Sequence, residues 1–187
     1  GKRAVDLAAE AGRWAIVSAL DPGYALPSAV ADSDEDETPP DRAPLGLVRD
    51  GLYSGQFEGL AALAKLCSAQ ELGSLLHDQG VVAAPANVEW LLLHGADAEV
   101  RDAQGDVPMF ALLARGPDAL SVLQVLMRRG LSPAGVGGLA RFMAASVPHQ
   151  HAAKALETFA LRLLERGADA FGASKAGDAP LSLAVRL

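Results

Sequence analysis

The sequence predicts an all-α fold: a solenoid of about five helix-turn-helix repeats plus a partial sixth, with short turn or hairpin fingers between the helix pairs. Three observations predict it. Gly95-Ala96-Asp97 returns as Gly167-Ala168-Asp169, 72 residues later, and Gly105 returns as Gly177 at the same offset. Gly138 falls 33 residues after Gly105, and a period of about 33 residues with paired helices marks a stacked repeat. Finally, apolar residues recur at helical spacing between these glycines, and aromatics make up only 5% of the 187 residues while Ala and Leu dominate. Such a core is built from small, helix-forming side chains.

Each element follows in turn. Residues 1–23 form the first repeat: Gly1-Lys2-Arg3-Ala4-Val5-Asp6-Leu7-Ala8-Ala9 leads into a second helix from Gly12-Arg13-Trp14 to Leu20. Residues 24–42 are an insertion. Its stretch from Ala31 to Asp41 is acidic and contains prolines, cannot bury a face, and is expected to be flexible. The second repeat, 43–66, opens at Pro44-Leu45-Gly46-Leu47-Val48, and its Gly55–Leu63 mirrors Gly12–Leu20 position by position. The third, 67–101, has helices over Ala69–His77 and Ala86–Leu93. Its entry turn is nearly absent at Cys67-Ser68, and Asp78–Pro85 is longer than a usual inter-helix turn.

The fourth repeat, 102–134, is the clearest. Asp102-Ala103-Gln104-Gly105 reads as a turn, and Pro108 suits the first turn of a helix, where its missing N–H costs nothing. Met109, Leu112 and Leu113 give that helix its apolar side, and Gly116-Pro117-Asp118 ends it. The second helix carries Leu120, Leu123, Val125, Leu126 and Met127. Arg128 and Arg129 meet the negative end of its dipole, and Gly130 is its C-cap. The fifth repeat, 135–173, has helices over Leu139–Val147 and Ala152–Arg166, joined by Pro148-His149-Gln150-His151. The partial sixth, 174–187, stops inside a first helix. Leu181, Leu183, Val185 and Leu187 would then be partly uncovered, so the chain reads as a segment of a longer array.

Asp102, Gly105, Val107-Pro108-Met109-Phe110, Gly116, Val125-Leu126-Met127 and Gly130 resemble an ankyrin repeat. The resemblance is closest over 86–133 and 156–187, good over 1–20 and weak in between. Two departures stand out. The Thr and His of that family's helix start are replaced by Arg3 and Asp6, by Val107 and Phe110, and by Ala179 and Ser182. Their lost hydrogen bonds predict looser repeats, by about 1 kcal/mol each. The repeats are also uneven in length.

Composition narrows the function. A net charge of −7 disfavours general affinity for nucleic acid or anionic lipid. No run approaches the 18 or so apolar residues of a membrane span. The single cysteine, Cys67, allows no internal disulfide and reads as a small packed thiol.

By spacing, the sequence offers only incomplete catalytic and metal motifs. His149-x-His151 offers two ligands where zinc needs three or four, and no cysteine or acid completes the set. His94 precedes Gly95 and is placed to bond the last carbonyls of its helix. Asp32, Asp34 and Asp36 alternate as in a calcium loop, but the turn glycine and terminal bidentate acid are missing. Gly135-Val136-Gly137-Gly138 lacks the Lys-Ser/Thr and preceding strand of a phosphate loop and reads as a degenerate repeat turn. No nucleophile elbow or motif-spaced base is present. Trp14 and Trp90 fall within second helices and read as packing residues.

The chain is therefore expected to be a non-catalytic module with no metal and no cofactor. In the family it resembles, fingers and first helices face a groove that binds protein or peptide partners. The resemblance places Lys2 and Glu10 of the first repeat, Arg101, Gln104, Asp106 and Arg115 of the fourth, and Lys175, Asp178 and Arg186 of the last on that surface. The alternative is a structural spacer within a longer solenoid, with any binding or enzymatic activity outside this chain. High Ala, Leu, Gly and Arg usage with degenerate repeats points to a GC-rich bacterial source.

Overall fold

The computed structural model describes residues 3–24 and 43–186, except for the side chains of residues 14 and 150–152. Lys2, Leu187 and the acidic run 31–41 lie outside the described residues. The described residues contain eleven α-helices and no strand: α1 (Ala4–Glu10), α2 (Trp14–Leu20), α3 (Pro44–Tyr53), α4 (Leu60–Ala64), α5 (Ala69–Ser74), α6 (Pro85–Leu93), α7 (Pro108–Leu113), α8 (Leu120–Arg128), α9 (Gly138–Ser146), α10 (Ala153–Glu165) and α11 (Pro180–Ala184). Short 3₁₀ turns at Leu75–His77, Gly116–Ala119 and Val147–Ala152 extend or join them. The chain is all-α. None of these helices is long and apolar enough to cross a membrane.

The helix boundaries follow from local chemistry. Pro44, Pro85, Pro108 and Pro180 stand in the first turns of α3, α6, α7 and α11, where no intrahelical N–H is needed. At α5 the start is a reciprocal cap: the Glu71 N–H donates to Ser68 Oγ at 3.2 Å and the Ser68 N–H donates to Glu71 Oε2 at 2.7 Å. Helix ends share one device. After α6, α8 and α10 a glycine at positive φ reverses the chain, and the next N–H reaches back into the helix. Ala96 donates to the Leu91 carbonyl at 3.0 Å, Leu131 to Leu126 at 3.1 Å and Ala168 to Leu163 at 2.9 Å.

The helices pack in order along the chain. α1 lies on α2, α3 on α4, and α1 also touches α4. α6 and α7 both pack on α8; α7 also meets α9, and α9 meets α10 and α11. One continuous apolar stripe results. Val17, Val48, Leu52, Leu76, Leu91, Leu113, Leu126, Leu156 and Leu163 are all within 1% of full burial. Phe142 and Phe159 meet within it at a 5.2 Å ring separation.

Three local features depart from simple repetition. Gly55–Leu63 mirrors Gly12–Leu20 in sequence, yet α4 begins at Leu60 while α2 begins at Trp14, the counterpart of Phe57. Gly59 sits at φ 79° in the left-handed region, where an added Cβ would press on the backbone of Ala4, and this residue sets a later start. Tyr24, at the head of the insertion, packs on the core. The long connection after α5 is held by Asp78, whose carboxylate accepts from Gly80 and Val81 backbone N–H groups at 2.9 and 3.1 Å. It also accepts from the Tyr53 hydroxyl at 2.7 Å. Buried Asn87 completes the clamp, its amide donating to the Leu52 and Val81 carbonyls at 3.1 and 3.0 Å.

Candidate interaction surface

Two fingers carry most of the candidate residues, and their backbones have one geometry. In the first, the Asp102 N–H donates to the Asp106 carbonyl and the Gly105 N–H to the Asp102 carbonyl, both at 2.9 Å. In the second, Ser174 donates to Asp178 and Gly177 to Ser174, again at 2.9 Å, with every partner 72 residues later. A side-chain acceptor holds each turn from inside. Asp102 Oδ1 accepts from Gln104 and Asp106 N–H groups at 2.8 and 2.9 Å, and Ser174 Oγ takes the equivalent pair at 3.2 and 3.3 Å. Gly105 and Gly177 supply the positive φ that the turn needs.

Asp106 joins three parts of the chain. Its Oδ2 accepts from Arg141 of α9 at 2.8 Å and from Lys175 of the second finger at 3.0 Å. Burial opposes ionisation of Asp106, but the hydrogen bonds from Lys175 and Arg141 outweigh it and hold the carboxyl below the usual aspartate range. The Arg141 guanidinium also lies 5.5 Å from the centre of the Phe110 ring on α7. Behind the first finger, His77 Nε2 is 2.8 Å from the Val100 carbonyl, and His77 Nδ1 is 3.9 Å from the Asp102 carboxylate.

The other named residues fall around this centre or away from it. Arg101 donates to the Gly105 carbonyl at 2.7 Å, so it braces its own finger. Gln104 is exposed at the finger tip. Arg186, exposed after α11, lies 3.7 Å from Asp178 of the second finger. Arg115 is half-buried just past α7, and Glu10 closes α1 in the first helix pair. Arg141, Phe110, His77 and Asp102 belong to the same surface although motif reading did not single them out as site residues. No motif marks Arg141, because the finger before α9 is degenerate and gives no offset to count from.

Chemistry elsewhere is sparse. Among the described residues no group of three or more His, Cys, Asp or Glu lies together as a metal site would require. Cys67 is half-buried, its Sγ 3.6 Å from the Leu63 carbonyl, and burial with help from Glu71 pushes its pKa up to about 11. His94 makes the helix-end contact its position suggests, with Nδ1 2.8 Å from the Trp90 carbonyl and its ring stacked on Trp90 at 4.0 Å. Gly137, at φ 78°, caps the start of α9, and a Cβ there would collide with the Ala173 carbonyl, so the glycine-rich segment is a packed turn.

Two concavities stand out among the described residues. A cleft of about 350 Å³ between α8 and α10 is lined by Gln124, Met127, Arg128, Arg162, Glu165 and Arg166. An apolar groove of about 580 Å³ lies over α9, α10 and α11. Compared with protein-family models, curated proteins and solved structures, the chain finds no match.

Proposed function

We propose that this chain is a degenerate ankyrin-repeat array that binds a protein or extended peptide, without catalysis, through the side bearing its fingers and first helices. The observation that carries this reading is the pair of equivalent fingers 72 residues apart, bridged by Asp106, Arg141 and Lys175. The bridge fixes the spacing between these two fingers. A surface whose features keep a set spacing loses little conformational freedom when a partner docks. The order of packing, with α7, α9 and α11 each against the next, supplies several adjacent units. An interface of useful affinity needs about 800 Å² from one side, within reach of such a row.

Site-specific crosslinking tests the proposal. A photoreactive group placed at Gln104 should trap a partner from the native cell. The same partner should be lost when Arg101→Glu and Lys175→Glu are combined, at a temperature where circular dichroism shows the variant still folded. Trapping that is indifferent to both charge reversals overturns the assignment of this surface.

A further inference from the structure

We infer that the cleft between α8 and α10 receives a carboxylate group brought by a ligand, at a place where the repeat leaves an arginine without its acid. The comparison is internal to the chain. Glu89 of α6 and Gln124 of α8 each stand six residues before the glycine that follows their helix, Gly95 and Gly130. Arg129 and Arg166 each stand directly before theirs, Gly130 and Gly167. Between α6 and α8 these two positions meet, and the Arg129 guanidinium donates to Glu89 Oε1 at 2.7 Å. Between α8 and α10 the acid is replaced by Gln124, a neutral amide. Arg166 donates instead from Nη1 to the Met127 carbonyl at 3.2 Å, and among the described residues no carboxylate pairs with it. Gln124 and Arg166 both line the cleft of about 350 Å³.

The surroundings add positive charge to that deficit. Arg128 and Arg162 line the same cleft, are exposed, and make no ion pair among the described residues. Glu165 is the one acid in the lining. The C-terminal ends of α8 and α10 each contribute about half a negative charge more, so three guanidinium groups exceed the local negative charge by roughly one. This excess stands in a chain whose net charge is −7. One carboxylate matches it, whereas a phosphate monoester brings about −1.5 to −2. A guanidinium is a planar fork that holds a carboxylate through two parallel N–H···O bonds, and Arg166 has committed one of its donors to Met127. The cleft lies between second helices and uses none of the finger residues, so it stands or falls independently of the finger surface.

Two probes are titrated at constant ionic strength against the full chain carrying isotope-labelled arginine: acetate, standing for a free acid, and acetyl-Gly-Glu-Gly-amide, standing for an acidic side chain of a peptide. NMR follows the Nε–H signals of Arg128, Arg162 and Arg166. Saturable shifts are expected, and the tighter probe names the source of the carboxylate. Gln124→Glu puts the repeat's acid back, so it should weaken binding about tenfold and move the unliganded Arg166 signal toward its liganded position. Arg162→Gln should also weaken binding about tenfold, whereas Arg129→Gln, which removes a guanidinium already paired with Glu89, should change it less than about twofold. Circular dichroism checks that each variant is folded. Four results overturn the inference: shifts that never saturate, binding that Gln124→Glu leaves intact, binding that Arg129→Gln weakens as much as Arg162→Gln does, and inorganic phosphate binding more tightly than either carboxylate.

Discussion

Asn87→Asp is the sharpest test of how the middle of the chain is held. Asn87 is 3% exposed, and its amide donates to two carbonyls, Leu52 at the end of α3 and Val81 in the loop before α6. One side chain thus fastens α6 to a helix 35 residues earlier. Asp has nearly the same shape, so no cavity is created, but its carboxylate cannot donate. Losing two hydrogen bonds costs about 2 kcal/mol, and a buried carboxylate facing two carbonyl oxygens adds about 1–3 kcal/mol. The expected loss is about 3–5 kcal/mol at pH 7, or roughly 10 °C in melting temperature for a chain of this size. Asn87→Ala should lose about 2–3 kcal/mol, since both carbonyls keep weaker backbone donors in Gly55 and Ala84. Burial raises the new carboxyl's folded pKa above its unfolded value of about 3.9, so the deficit should shrink as pH falls toward that value and the group regains a proton to donate. Urea unfolding followed by far-UV circular dichroism at pH 7 and 4.5 measures both effects. An Asp variant within 1 kcal/mol of wild type at pH 7, or a deficit unchanged at pH 4.5, would refute the clamp.

Three further outcomes are expected. Gly73→Ala, which would normally stabilise a helix by about 1 kcal/mol, should destabilise this one by about 1–3 kcal/mol in the same urea assay. A Cβ there would collide with the Asp97 carbonyl and stand 2.8 Å from Val100 Cγ2. Cys67, with its thiol raised to about 11, should react with iodoacetamide at pH 8 more than about 100-fold more slowly in the folded protein than in urea. Asp106→Asn should cost stability at neutral pH by about 0.5–1 kcal/mol. Because the folded Asp106 carboxyl is held below its unfolded range, that wild-type advantage is present above about pH 4 and disappears as pH falls through the folded value, which paired melts from pH 7 to 3 would show.

The helices were legible where pattern and punctuation agree. α7 and α8 follow from Pro108, the Met109-Leu112-Leu113 spacing and Gly130, because proline starts and glycine caps act within a few residues. The late start of α4 was not legible: it depends on how closely Gly59 approaches Ala4, a contact 55 residues away. The Ser68–Glu71 cap is legible as a Ser-x-x-Glu signal at the start of α5, although the usual turn before it is missing. At the candidate surface, Asp106 and Lys175 could each be named from the repeat. Their union through Arg141 could not, since it forms only when α9 lies between two fingers whose own spacing is irregular. Asn87 carries no motif at all, and only tertiary packing reveals its two acceptors.

Among the described residues three side-chain ties reach only 25 to 40 positions along the chain, Tyr53 to Asp78, Glu89 to Arg129 and Arg166 to the Met127 carbonyl, and Lys175 to Asp106 crosses 69. A repeat array of the kind proposed, tied mainly in this way, need not melt all at once. Heat should erode it stepwise, leaving a shoulder in the calorimetric trace and a van't Hoff enthalpy smaller than the measured one.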